Sequence, residues 1–281
     1  MRHRIFLQVG SIGFRIGADW RAPIAALDAL YSDYPRPAFA DYSVRLEAMS
    51  VWRRWLRPSV RLGGDYELPD AAPLPLAHGL LAAEMGMNLQ VALGHRRHLL
   101  LHAAVVARGD KAILLSGVSG AGKSTLALML AQKGWRFLGD EFAMVDPVTG
   151  WVHPFPRPFS LKNESLAVIP EGSRVGPLMK GTPKGDIRHV APDAAAIAAM
   201  GEPARPVLLV FPRFGYPSAL NSLPPTEVFL RLTQASTNYT ALGEAGFRAL
   251  TRLRAGIPAV TLDYPDGATG VAAVEALWDA L

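Results

Sequence analysis

At 281 residues, half of them apolar, the chain is long enough for one large domain or two small ones with a substantial core. It has no cysteine, which excludes disulfides, thiolate metal sites and cysteine nucleophiles. No apolar run approaches the length of a membrane helix, and the net charge of +5 is too mild to call for a nucleic-acid partner. Behind the basic start Met1-Arg2-His3-Arg4, the apolar stretch is too short and too interrupted for a signal peptide, so the expected location is the cytoplasm.

Residues 1–95 are expected to form a smaller N-terminal α+β region. Phe6–Ile16 carries two apolar runs around Gly10-Ser11 and predicts a β-hairpin. Pro23–Tyr31 predicts a helix, the Pro-, Arg- and aromatic-rich residues 35–75 predict further strands, and Leu76–Leu93 predicts a helix weakened by Gly79 and Gly86. Trp52 and Trp55 interleave with Arg53, Arg54 and Arg57. This knot reads as a solvated face with snorkelling arginine stems rather than a nucleic-acid contact.

Residues 96–281 are expected to form the second, larger domain. Leu99–Ala107 predicts one strand and Lys111–Ser116 its partner. Gly117-Val118-Ser119-Gly120-Ala121-Gly122-Lys123-Ser124 fits G-x-x-x-x-G-K-[ST], the phosphate-binding P-loop, and the residues from Thr125 on are helical in character. The fold class expected is therefore α/β with a P-loop nucleotide-binding core. In such a loop, backbone N–H groups from Gly117, Ser119, Gly120, Ala121, Gly122 and Thr125 face an anion at a helix N-terminus. Lys123 reaches the terminal phosphates and Ser124 ligates Mg²⁺, so the ligand expected is ATP with Mg²⁺.

Downstream, Gly134–Val145 reads as strand, acidic pair, strand. Asp140-Glu141 stands where a P-loop protein holds Mg²⁺ and takes the proton of an attacking hydroxyl. His102, a polar ring in an apolar run, either is a hydrogen-bonded core histidine or is aimed at the acidic pair. Residues 151–190 show little regular structure. Pro206–Phe211 predicts a buried strand, followed by Arg213, placed to stabilise phosphate charge. Thr226–Thr233, Gly243–Arg254 and Val271–Leu281 predict helices, and Ala259–Leu262 a short strand. The chain has only six lysines, all between Lys111 and Lys184, against an arginine background. Lys162, Lys180 and Lys184, with Thr182 in the loop Lys180-Gly181-Thr182-Pro183-Lys184-Gly185, are thereby candidates for substrate contact.

These residues resemble a family. The order His102-Ala103-Ala104-Val105-Val106, P-loop, then Gly134-Trp135-Arg136-Phe137-Leu138-Gly139-Asp140-Glu141 is similar to the catalytic domain of HPr kinase/phosphorylase. The whole chain more closely resembles the HprK-related kinase A group, through Ser160-Leu161-Lys162-Asn163, Lys180-Gly181-Thr182 and Phe211-Pro212-Arg213. The resemblance implies a core of the HPr kinase/phosphoenolpyruvate carboxykinase-like type and ATP-dependent phosphoryl transfer to a serine of a protein or peptide partner. It casts Asp140 as general base, Glu141 as Mg²⁺ ligand in place of the family's aspartate, and His102 as support for the base. Residues 151–215 depart from the family's segment for HPr binding and reverse phosphorolysis. A small-molecule or sugar kinase, a partner-regulated ATPase switch and a degenerate nucleotide-binding scaffold remain alternatives. Homo-oligomerisation is left open.

Overall fold

Alternation of apolar and polar residues from His3 to Val9 buries Ile5, Leu7 and Val9 on one face, and the chain opens with a hairpin. The computed structural model describes residues 1–281. In chain order the elements are β1 (His3–Val9), β2 (Ile12–Ala18), α1 (Arg21–Leu30), β3 (Tyr42–Ala48), β4 (Ser59–Gly64), β5 (Leu74–Pro75), α2 (Gly79–Gly94), β6 (Leu99–Leu101), β7 (Ala103–Arg108), β8 (Lys111–Ser116) and α3 (Lys123–Gln132). They continue with β9 (Arg136–Gly139), β10 (Ala143–Val145), β11 (Val152–His153), β12 (Phe159–Lys162), β13 (Met179–Thr182), β14 (Gly185–Val190), α4 (Ala194–Ala198), β15 (Arg205–Phe214) and β16 (Ala219–Ser222). The chain closes with α5 (Pro225–Ala235), α6 (Tyr239–Leu242), α7 (Glu244–Gly256), β17 (Ala259–Tyr264) and α8 (Gly267–Asp279). The protein is a mixed α/β chain with several sheets, and no helix is long and apolar enough to cross a membrane.

Two compact units result. The first joins Met1–His95 to Ser160–Ala191; the second joins Arg96–Phe159 to Pro192–Leu281. In the first, β1 to β5 form one sheet in sequence order. The parallel pair β2–β3 needs a crossover, which α1 supplies. Gly86, which lowers the helix propensity of α2, sits where a Cβ would come within 2.5 Å of Val44 Cγ1, so glycine there allows α2 to pack close to β3.

The segment 160–191 corrects two expectations. It is not irregular: β12, β14 and β13 form a three-stranded sheet in that order. Nor does it belong with the phosphate-loop residues, because its contacts lie with the N-terminal elements. Lys180 O lies 2.9 Å from His78 Nε2, Arg174 pairs with Asp33 at 2.7 Å, and Gly176 packs under Leu80.

The second unit is built on a six-stranded sheet of order β16-β17-β15-β8-β7-β9 and a three-stranded sheet of order β11-β10-β6. Its core brings Leu101, Val105, Leu114, Leu138, Val145, Leu209, Phe211, Leu232 and Leu250 together. Helix α8 is held by Glu275, whose carboxylate accepts from Arg108 and Trp135 at 2.7 Å each.

Here the single strand expected over Leu99–Ala107 is corrected. It breaks at His102: β6 pairs with β10 in one sheet, while β7 pairs with β8 and β9 in the other. The His102 N–H leaves both ladders and donates to Ala235 O at 2.7 Å. An unbroken apolar run hides this break, because both halves are buried.

The Gly117–Ser124 loop is fixed from the far side. Gly122 has φ +91°, and a Cβ there would meet Tyr264 Oη at 2.5 Å and Phe214 Cβ at 3.0 Å. Gly120 has φ +85° with open space around it. A left-handed conformation costs a residue with a Cβ about 1–2 kcal/mol. Gly120→Ala therefore meets that term alone, whereas Gly122→Ala adds the collision with Tyr264. Thermal melts should place Gly122→Ala clearly below Gly120→Ala; equal melting temperatures would mean that Tyr264 does not brace the loop.

Candidate functional site

Strand directions bring the sequence-predicted residues to one edge of the six-stranded sheet. β15 runs parallel to both β8 and β17. β7 is antiparallel to β8 and to β9, so β9 runs the same way as β8. The C-terminal ends of β17, β15, β8 and β9 and the N-terminal end of β7 thus share one edge, where open α/β sheets bind ligands. Along it stand Asp263-Tyr264, Arg213-Phe214, the loop at Gly117, His102, and Asp140-Glu141.

The loop leaves β8 and enters α3, whose first residue is Lys123 and whose N-cap Gly122 supplies no side-chain hydrogen bond. The N–H groups at such an end have no intrahelical acceptor, and the macrodipole adds partial positive charge. Lys123, only 6% exposed, donates through Nζ to Gly117 O at 2.7 Å and Val118 O at 3.0 Å, so its ammonium is folded over the loop. Ser124, the second residue of α3, follows directly, with Thr125 behind it. Ser119, Gly120 and Ala121 complete the turn, and Ala121 O accepts from the Phe214 N–H at 3.3 Å.

Asp140 and Glu141 lie where the chain bends out of β9 toward β10. The bend separates their environments: Asp140 is buried at 4% exposure, while the Glu141 side chain is 33% exposed. His102 Nδ1 lies 3.2 Å from Glu141 O and 3.8 Å from Glu141 Oε2. Its side chain is 41% exposed. The ring is thus hydrogen-bonded to the backbone of the acidic pair and lies close to one of its carboxylates. Glu141 is the neighbour of Asp140, the residue that the resemblance has His102 support.

Arg213 stands at the end of β15, as its sequence position suggested, with part of its donor fork engaged. Its Nε and Nη2 donate to Asp263 Oδ1 and Oδ2 at 2.7 and 2.6 Å. These hydrogen bonds and the carboxylate's charge raise the guanidinium pKa further. Arg213 also lies over the Tyr216 ring at 4.6 Å. Burial pushes the Tyr264 phenol well up, so it stays neutral beneath the loop. Asp263 and Tyr264 are the residues sequence reasoning missed. The available signal was positional: they end a short buried strand, as Arg213 does.

Lys162, Lys180, Thr182 and Lys184 belong to the other compact unit. There Thr182, 7% exposed, builds a turn: its hydroxyl donates to Gly185 O at 2.6 Å and accepts from the Lys184 N–H at 3.2 Å. The Lys162 backbone is tied to Ser165 Oγ.

No family model matches this chain, and no curated protein matches it. Among solved structures, the HPr(Ser) kinase/phosphatase from Coxiella burnetii overlaps 64% of this chain and 88% of its own, at 14% identity and a TM-score of 0.30. An overlap that loose carries no argument about the site.

The Arg213–Asp263 pair is bidentate, with Asp263 nearly buried and Arg213 half exposed, so solvent screens part of the attraction. A double-mutant cycle of Arg213→Ala and Asp263→Ala on thermal unfolding should show coupling, the double variant losing less than the sum of the two single losses. Additive single losses would show that the pair does not couple.

Proposed function

We propose that the chain is an ATP-dependent phosphotransferase that moves the γ-phosphoryl group to a hydroxyl, a serine of a protein or peptide. The observation that carries this reading is the shared sheet edge, where a glycine-rich loop at a helix N-terminus, a buried lysine and two carboxylates come together. The core type we propose is that of HPr kinase and phosphoenolpyruvate carboxykinase. ATP use makes the cytoplasm the proposed compartment, and no nucleic acid takes part.

The donor set fits a magnesium nucleotide. Mg²⁺ prefers oxygen ligands, and the Ser124 hydroxyl and the Glu141 carboxylate supply them. Bound there, Mg²⁺ would supply charge neutralisation on the phosphates. The loop N–H groups hold phosphate oxygens at the α3 N-terminus. An ammonium has three N–H groups, and a phosphate oxygen is a stronger acceptor than the loop carbonyls that Lys123 now uses. Asp140 accepts the proton of the acceptor hydroxyl as its oxygen bonds to the γ-phosphorus. The bond to the β–γ bridging oxygen breaks, and ADP leaves. His102 positions Glu141 through the contact at Nδ1. Most of the acceleration in such a site comes from positioning and electrostatics.

The test is transfer of label from γ-labelled ATP with Mg²⁺ in a host-cell extract, with Lys123→Ala as control. The products are separated into protein, peptide and small-molecule fractions. Label in the protein or peptide fraction, lost in Lys123→Ala, is the expected result. Label only in small molecules would overturn the acceptor class, and label only in free phosphate would make the protein an ATPase switch.

A further inference from the structure

A second cluster of polar side chains lies at the other end of the three-stranded sheet. Register explains why His98, Asp146 and His153 meet. Val145 pairs with Leu99, so continuing the ladder by one residue sets His98 across from Asp146. On the other side Met144 pairs with His153 and Val145 with Val152, which puts His153 diagonally beside Asp146 on the same face. One potential ligand atom from each of the three residues lies within 4.8 Å of the others. The two imidazole rings are 4.6 Å apart between centroids.

We propose that His98, Asp146 and His153 form a binding site for a divalent first-row transition ion, of which zinc is the best match. Two imidazole nitrogens and one carboxylate oxygen are a ligand set for zinc and its neighbours. The all-oxygen shells of Mg²⁺ and Ca²⁺ are a different chemistry. Reach is sufficient. With ligand bonds of about 2.0–2.2 Å, two ligands of one ion lie at most about 4.4 Å apart. His153 Nε2 is already 4.0 Å from Asp146 Oδ2, and its side chain is 36% exposed, leaving room for a small swing.

The surroundings hold the ligands in place, as outer partners of metal ligands do. Asp146 Oδ1 accepts the N–H groups of Val148 and Thr149 at 2.7 and 2.8 Å, which orients the carboxylate. The backbone at His98 is tied down by buried Asn238, whose Nδ2 donates to His98 O and whose Oδ1 accepts the Leu100 N–H, both at 2.9 Å. Three protein ligands leave a coordination position for water. The site and the acidic pair lie at opposite ends of β10, Asp146 following the strand and Glu141 preceding it.

The test is calorimetric titration of the chelator-treated full chain with Zn²⁺. Wild type should bind one equivalent, and its melting temperature should rise with zinc. His153→Ala and Asp146→Asn should each weaken binding at least tenfold and lose the rise, while His3→Ala should match wild type. Hydrogen exchange on the unmutated chain provides a readout that does not depend on variant folding. Zinc should raise protection in Leu99–Leu101 and Ala143–Val145. No stoichiometric binding, binding that survives both substitutions, or protection confined to other segments would overturn the proposal.

Discussion

At His102, and again at Asp140-Glu141, the backbone passes between the six-stranded sheet and the three-stranded one. A residue at such a crossing has left one ladder and not yet entered the next. Its N–H and C=O groups must find other partners, because buried backbone groups left unpaired are costly. At His102 the N–H takes Ala235 O, and the ring meets Glu141 O. The two crossings face one another because β7 and β9 are neighbours, with Val105 opposite Gly139. An arrangement of sheets chosen by core packing thus puts a histidine and two carboxylates at an edge where strands expose their ends.

The same edge divides charge by position. The loop and α3 present N–H groups and Lys123, whose ammonium is satisfied by two loop carbonyls. Beyond β8, Asp263 holds Arg213 in a bidentate pair. On the other side of His102 stand the carboxylates of Asp140 and Glu141. Strands thus hold the positive and negative groups of this edge apart from one another. Tyr264, neutral and buried, excludes a side chain at position 122 and so keeps the loop backbone low against the sheet.

Much of this was legible in the sequence where a local pattern carried it. The strand, glycine-rich loop and helix from Lys111 to Gln132 could be read because each cue lies within a few residues of the next. The opening hairpin was legible for the same reason. What was hidden depends on distant partners. The break at His102 lies inside an apolar run and is visible only through the different strands that β6 and β7 pair with. The strands between 152 and 190 are two to six residues long and interrupted by Pro and Gly, so no period develops. Asp263 gains its role from Arg213, 50 residues earlier in the chain. His98, Asp146 and His153 likewise have no motif spacing and meet only through register.

In the proposed function, the sheet edge binds ATP through its loop and Asp140 takes the acceptor's proton. Asp140→Asn tests it most directly, because the exchange keeps the shape of the side chain and removes the basic carboxylate. The measurement is ATP affinity and γ-phosphoryl transfer in that variant beside wild type. Nucleotide binding close to wild type, with transfer reduced about 10²–10⁴-fold, is the expected result. Transfer at the wild-type rate would contradict it.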